Sequence, residues 1–350
     1  MEINTLIIVV TFNSEVFIEK CLKSITSSSF NRWFLAVLDN NSRDLTINKV
    51  SQFVSSSKKL NGANFKLIKL NANIGFAAAV NHVVFNLLLR GQIPLQDQHK
   101  LTGGPEPAAQ IEYLILLNPD LYLDETALDN LIMPFENNVY KDNGIKAGAV
   151  GGIIFDYAGE SIQHAGGNFK DNFLTFHSRQ GEVAPDMAVP YRPNSKDTVA
   201  FLEEAQYVTG ALFATKLEYF RSLGGFDPGY KPLYFEELDY CLKLKKLSLK
   251  IFVSPNSTAR HFEGGSVKIF SSKFYKYYHK NRIRCAIINY SCRDFFKLFI
   301  REELKWLKTA AAKEQSRALL YAYFYNLLFL ACNLIVKIRN YLIISKLIFF

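Results

Sequence analysis

Four short apolar runs, each closing on small polar residues, constrain what this chain can fold into more than any other feature. Thr5–Thr11, Phe34–Asp39, Phe65–Leu70 and Tyr113–Asn118 are rich in Ile, Leu and Val, and stretches with helical spacing separate them. Runs so short and so continuously apolar read as strands buried on both faces, and their alternation with helices describes a parallel sheet covered by helices. Ile18, Leu22 and Ile25 fall on one stripe of the first helix, with Ser14 placed to cap it; Asp44 is placed to open the second, and the third follows Gly75 towards Leu89. Further strands are expected near Ala149–Phe155, Val208–Ala214 and Ile251–Val253. Residues 92–110, polar and rich in Pro and Gly, read as an excursion loop before the fourth strand.

In an open parallel sheet, ligands bind outside the carboxyl ends of the strands, where loops diverge and backbone groups are free. Here those ends read Thr11-Phe12-Asn13, Asp39-Asn40-Asn41-Ser42, Asn71-Ala72-Asn73-Ile74-Gly75 and Asn118-Pro119-Asp120. Taken singly these are turn formers and caps. Four on one edge describe a rim built for a ligand. Asp39, emerging from a buried strand, can accept from the ring N–H of a nucleobase or cap the next turn. Gly75 permits close backbone approach before a helix whose N-terminal amides suit a phosphate. Asp120 is placed as a hard oxygen ligand for Mg²⁺ or Mn²⁺ shared with a diphosphate.

Two more clusters carry alternatives. Glu236, Glu237 and Asp239 open a helical pattern, where acids offset the helix dipole by about 0.3–1 kcal/mol each. Crowded and partly buried, the same acids repel one another, and one becomes a general base with a raised pKa. His261, in Arg260-His261-Phe262-Glu263-Gly264-Gly265-Ser266, is either a satisfied structural histidine or a ligand to metal or diphosphate.

The chain has 350 residues and 49% hydrophobic content, which leaves room for one large domain or a domain with an appendage and excludes a mainly disordered chain. Its net charge of +9 is uneven: residues 268–317 hold 13 Lys/Arg against 4 Asp/Glu, whereas residues 1–267 hold 25 against 28. Basic residues there interleave with Phe, Tyr and Trp, and Ala318–Val336 follows with 19 residues free of charge, near the roughly 20 that span a bilayer. No nucleic-acid motif accompanies this pattern, so the expected partner is an anionic membrane surface and no nucleic acid. Attachment along the interface is preferred to a span, and a buried helix of the globular body is the alternative. Five cysteines without C-x-x-C or zinc spacing are expected as free thiols in a reducing compartment. MEINTLIIVV lacks a basic n-region, so the start is expected in the cytosol.

The ordered motifs V-T-F-N at 10–13, D-N-N-S-R-D at 39–44, N-x-N-I-G-F-A-A-A-V-N at 71–81, L-L-N-P-D at 116–120, Q-H-A-G-G at 163–167, G-G-F-D at 224–227, E-E-L-D at 236–239 and H-F-E-G-G-S at 261–266 resemble family 2 glycosyltransferases, and among them the bacterial rhamnosyltransferase-like branch. The resemblance implies an α/β, GT-A (Rossmann-like) fold with a mostly parallel central sheet over residues 1–267. Residues 268–350 would then form a helical, membrane-associated appendage. It implies a nucleotide-diphosphate sugar donor (dTDP- or UDP-linked), Mg²⁺ or Mn²⁺, and inversion at the anomeric carbon. By position, Thr11 and Asn13 lie at the nucleoside and Asp39 binds the base, while Asn73, Gly75 and Asn81 line the nucleotide or diphosphate pocket. Asp120 stands as the surviving carboxylate of the D-x-D metal motif, with Asn118 at its first position beside the nucleotide sugar and His261 as a neighbour of metal or diphosphate. Glu237 is the implied base, where the family usually has Asp; Glu236 precedes it and Asp239 assists from the same helix end. The implied acceptor is a membrane-linked saccharide, such as a polyprenyl-diphosphate-linked one, at the cytoplasmic face of the cell membrane in cell-envelope polysaccharide synthesis. A catalytically inactive, membrane-associated nucleotide-binding scaffold is the competing expectation.

Overall fold

A computed structural model describes residues 2–88, 111–137, 144, 146–183, 202–262 and 270–349. The expected loop at 92–110 and the boundary between 267 and 268 lie outside these residues.

Strands β1 (Thr5–Thr11), β2 (Trp33–Asp39), β3 (Phe65–Lys69) and β4 (Tyr113–Leu117) form where the apolar runs place them. They pair in parallel in the order β3-β2-β1-β4, with Thr11 opposite Asp39 and Thr5 opposite Tyr113. Beyond β4 the sheet is mixed. β11 (Leu212–Lys216) runs antiparallel to β4 and to β6 (Ala147–Asp156), and β6 pairs in parallel with the long β12 (Lys250–His261). The parallel expectation thus holds for the half of the sheet whose strands alternate with helices, and β11 reverses direction beside β4.

Helices α1 (Ile18–Ser27), α2 (Thr46–Ser56) and α4 (Ala127–Glu136) cover one face, burying Ile18, Leu22, Val50 and Leu131 against Ile7, Val9 and Val37. The other face is covered by α3 (Phe76–Asn81, continued by a π-helical stretch His82–Leu88), α5 (Leu217–Ser222), α6 (Glu236–Lys246) and α7 (Ser272–Asn289). Of two capping expectations, one needs correction. Ser14 does not cap α1 with its side chain; its carbonyl accepts from Phe17 N and Ile18 N. Asp44 does act at the head of α2, with Oδ1 accepting from Thr46 N at 3.1 Å.

The basic C-terminal region corrects a larger expectation. Lys280, Arg282 and Arg284, read from sequence as part of a cationic surface, are buried on α7. Arg282 forks onto Glu303 at 2.6 and 2.7 Å, and Arg284 reaches Asp227 Oδ2 at 2.6 Å. The two arginines go inward because each meets a carboxylate, and Lys280 reaches the Lys231 carbonyl; without such partners burial is prohibitive. Helices α8 (Ser316–Leu328) and α9 (Leu330–Phe349) follow, bent by 68° against each other. No single described helix is long and apolar enough to cross a membrane, although this bent pair together has the length and composition.

Candidate functional site

The carboxyl ends of β1 to β4 open into a cleft of about 1020 Å³. Asn40, Asn73, Gly75, Asn118, Asp120 and His261 line one part of it, and Glu236, Glu237, Tyr207 and Gly210 another. A wall from the C-terminal region, including Phe274, Tyr278 and Trp306, closes it.

The residues of the four polar ends divide into those that face the cleft and those that build its rim. Asp39 is buried, and its Oδ1 accepts from Thr11 Oγ1 at 2.9 Å and from the Ser42 hydroxyl, while Oδ2 accepts from Ser42 N at 2.9 Å. Of the two readings left open for Asp39, turn capping is the one its bonds display, and Thr11 orients that carboxylate. Asn13, with φ of 52°, locks the same turn by accepting from Arg43 N at 2.9 Å. Asn40, whose part the sequence did not single out, accepts from Ile74 N at 2.9 Å and ties the second rim segment to the third. Asn73 then accepts from Gly75 N at 2.9 Å, placing Gly75 at φ +87° beside Pro232. A Cβ on Gly75 would lie 3.1 Å from Pro232 O, so close approach as well as conformation calls for glycine there. The first helical amide, Phe76 N, is taken by Pro232 O at 3.2 Å.

Asn81 does not reach the cleft. Its amide donates to Phe226 O at 2.8 Å and accepts from Phe226 N at 3.0 Å, a paired bond that holds the G-G-F-D turn. The matched motif position therefore serves packing, because both ends of the side chain are already used.

Asp120 and His261 meet at the cleft floor. His261 Nδ1 lies 2.8 Å from Gln163 Oε1, and Nε2 lies 3.3 Å from Asn118 Nδ2 and 3.1 Å from Asp120 Oδ1. The ring and the carboxylate can hydrogen-bond to each other or, with the ring proton on Nδ1, turn both lone pairs on a cation. Adjacent ligands of a small divalent ion with bonds of about 2.1 Å stand about 3 Å apart, so the pair fits Mg²⁺ or Mn²⁺. Among the described residues no third His, Cys, Asp or Glu gathers with them. Remaining positions are thus open to diphosphate oxygens and water. Gln163 lies in the quoted Q-H-A-G-G, but nothing in that string shows that its side chain reaches His261.

At the other end, Tyr234 and Phe235 both take positive φ, 79° and 78°, immediately before Glu236 and Glu237. Such left-handed residues cost about 1–3 kcal/mol each and persist where their surroundings hold them. The turn aims the first two acids of α6 at the cleft. Burial drives the Glu236 carboxyl well above the ordinary range, and the neighbouring charge of Glu237 adds to the shift. Glu236 Oε2 has no hydrogen-bond partner, in keeping with a protonated acid. Burial also raises Glu237, though less freely, because its own amide and Gly210 N donate to it, the latter at 3.3 Å.

Asp239 departs from its expected role. It is fully buried away from the cleft, 3.0 Å from Lys243 Nζ and accepting from Asn289 Nδ2 at 2.7 Å. The Lys243 contact is an ion pair by distance, but it lacks hydrogen-bond alignment. Burial pushes Asp239 up, and Lys243 with Asn289 outweighs it, so the net shift is downward. A buried, paired carboxylate held below the ordinary range, with no access to the cleft, is a structural group.

Residues 6–86 match the family described as Glycosyl transferase family 2. Among solved structures the chain resembles GalNAc-T7 with UDP, GalNAc and Mn²⁺ (TM-score 0.55, 16% identity, 82% of this chain and 48% of that one). It also resembles the mannosyltransferase PcManGT of Pyrobaculum calidifontis in complex with GDP-Man and Mn²⁺ (TM-score 0.52, 14% identity, 94% and 75%). S. aureus TarS 1-349 in complex with UDP-GlcNAc is similar too (TM-score 0.50, 14% identity, 92% and 79%). The chain spans about half the length of the first of these. No curated protein matches it. These likenesses show a GT-A fold, and the match to the family covers residues 6–86 of it.

Proposed function

We propose that the chain transfers a sugar from a nucleotide-diphosphate sugar to a saccharide hydroxyl, with inversion at the anomeric carbon. The observation that carries this reading is that the Asp120–His261 pair and the Glu236–Glu237 pair open into one cleft. Inverting transfer needs those two parts: a group that accepts the hydroxyl proton and a site that stabilises the leaving diphosphate. A divalent ion held by Asp120 and His261 would offset the charge that builds on the diphosphate. Glu237 takes the acceptor proton as the acceptor oxygen bonds to the anomeric carbon and the bond from that carbon to the diphosphate oxygen breaks. Protonated Glu236 leaves Glu237 as the single negative charge of the pair, and no covalent intermediate is required. The donor we favour is dTDP-rhamnose or a UDP-hexose.

Calorimetry with UDP, dTDP and GDP in the presence of Mg²⁺ or Mn²⁺ tests the donor site. One nucleotide is expected to bind in a metal-dependent way, and Asp120→Ala to weaken it by about tenfold or more, on the order of 1.4 kcal/mol. Absence of binding to any of the three by folded protein would overturn the reading, and the nucleotide-binding scaffold with it, in favour of a membrane-associated structural role.

The acceptor we propose is a membrane-linked saccharide, polyprenyl-diphosphate-linked ones included, met at the cytoplasmic face of the membrane. Support comes from the inverted polarity of α8 and α9. Asn326, Asn333 and Asn340 are buried, whereas Leu320, Phe324, Leu327, Ile335, Ile338 and Leu342 are each more than half exposed. Residues 315–350 include four Lys/Arg and no Asp or Glu. Exposed apolar residues of that kind, on a segment whose only charges are basic, suit the interface of an anionic bilayer. Full-length protein is expected to float with phosphatidylglycerol-containing vesicles, and Leu327→Asp with Ile335→Asp to stay behind. Flotation that these substitutions leave unchanged would remove the face from the proposal.

A further inference from the structure

We infer that Asn281, on α7, is a positioning residue for the transfer: it sets the distance between the donor cradle and the base by holding the loop that joins them. The inference rests on Glu237 as base and goes beyond it, because Asn281 is 47 to 51 residues away in sequence from the groups it binds.

The loop of residues 230–235 touches both functional parts of the cleft. Its Pro232 carbonyl receives the Phe76 amide at 3.2 Å and stands 3.1 Å from where a Cβ on Gly75 would lie, so it abuts the donor rim. Its last residues, Tyr234 and Phe235, take the left-handed conformation that delivers Glu236 and Glu237. Its rings rest on α7, Tyr234 against Phe274 and Phe235 against Tyr278, and its carbonyls need holding as well.

Asn281 holds them from outside. The two hydrogens of its Nδ2 are shared among Tyr230 O at 2.6 Å, Leu233 O at 2.8 Å and Tyr234 O at 3.0 Å. The side chain is fully buried, and its Oδ1 has no partner. A buried amide that leaves its acceptor unsatisfied while its donor serves three carbonyls is retained for the donor end. Lys280 adds Nζ to Lys231 O at 2.5 Å. Four carbonyls of one loop are therefore gathered by two adjacent residues of α7. The helix is itself pinned from behind, where Asn326 Nδ2 of α8 donates to Lys280 O at 2.9 Å.

The consequence is specific. The charged end of the donor is assigned to Asp120 and His261, to which Asn281 makes no hydrogen bond, whereas the placement of Glu237 depends on the loop. Loss of the staple should therefore fall on turnover and spare nucleotide affinity, since a misplacement of about 1 Å costs on the order of 10²-fold in rate.

The test uses full-length Asn281→Ala and Asn281→Asp, the second close in shape but unable to donate once ionised. With the nucleotide sugar that calorimetry selects, both are expected to keep the wild-type Kd while donor turnover falls on the order of 10²-fold. The acid limb of the rate profile should move down towards ordinary carboxylate values as the loosened loop admits water to Glu237. Amide hydrogen exchange, which needs no substrate, should speed up over residues 230–237 and stay unchanged in β1 to β4. Turnover within a factor of about three of wild type would overturn the inference. So would faster exchange spread over the whole sheet together with lost nucleotide binding, the mark of a merely structural residue. Failure of wild-type protein to bind any nucleotide would count against the proposed activity instead; exchange at 230–237 would then decide the staple by itself.

Discussion

Glu237→Gln is expected to lower turnover by about 10²–10⁴-fold, the range that a general base contributes. Glutamine keeps the shape of the side chain and can still accept from Gly210 N, so nucleotide affinity should stay at the wild-type value. It cannot take the acceptor proton. The wild-type rate profile adds a second expectation, worked from the direction of the shift. Burial raises Glu237, so its basic form is lost at a higher pH than for an exposed glutamate. Activity should therefore fall on acidification starting above the usual carboxylate range, and Glu237→Gln should flatten that limb. Steady-state turnover across pH, with the nucleotide Kd measured alongside, checks both. Full activity in Glu237→Gln would remove this residue from the role of base.

The second large effect concerns stability. Glu303 receives Arg282 through both terminal nitrogens, Asn172 Nδ2 at 2.9 Å and the Tyr323 hydroxyl. Arg282 has no exposed surface. Glu303→Ala leaves that guanidinium buried and uncompensated, a loss of about 3–5 kcal/mol. Against a typical stability of about 5–15 kcal/mol, that is a large fraction of the whole. Chemical denaturation should show it as a lower midpoint with unchanged slope. Burial opposes ionisation of Glu303, but Arg282 outweighs it and holds the carboxyl below its ordinary value. The stabilisation is accordingly present above the unfolded-state pKa and is lost as pH falls through the depressed folded-state value. A change near zero in Glu303→Ala would mean that the C-terminal region is not integral to the body.

That integral role is where reading the chain by composition fell short. Alternating Lys, Arg and aromatic residues look alike whether they face lipid or line a buried seam, because the partners that neutralise them are distant in sequence. Arg284 pairs with Asp227, 57 residues away, and Lys280 finds a carbonyl 49 residues away. Asn81 and Asp239 show the same limit at motif positions. Their types suited the site, yet one is bound by Phe226 and the other by Lys243 and Asn289. For Asp239 a local signal did exist in the i, i+4 spacing to Lys243.

What the sequence by itself determined is the frame. Short, fully apolar strands alternating with amphipathic helices leave few arrangements other than a parallel sheet with its polar strand ends on one edge, so Asp120 and Gly75 were legible as cleft residues. Glu237 was legible as an acid in a first helical turn, with the choice between dipole and base left open. The tertiary structure favours the base, by burying Glu236 and Glu237 together behind a left-handed turn. It also decided that Thr11, Asn13 and Asp39 brace the rim, that Gln163 directs His261, and that α7 holds the active-site loop. The physical reason is common to all of these: periodicity is local and survives in sequence, whereas desolvation and hydrogen-bond partnership depend on which distant segments the fold brings together.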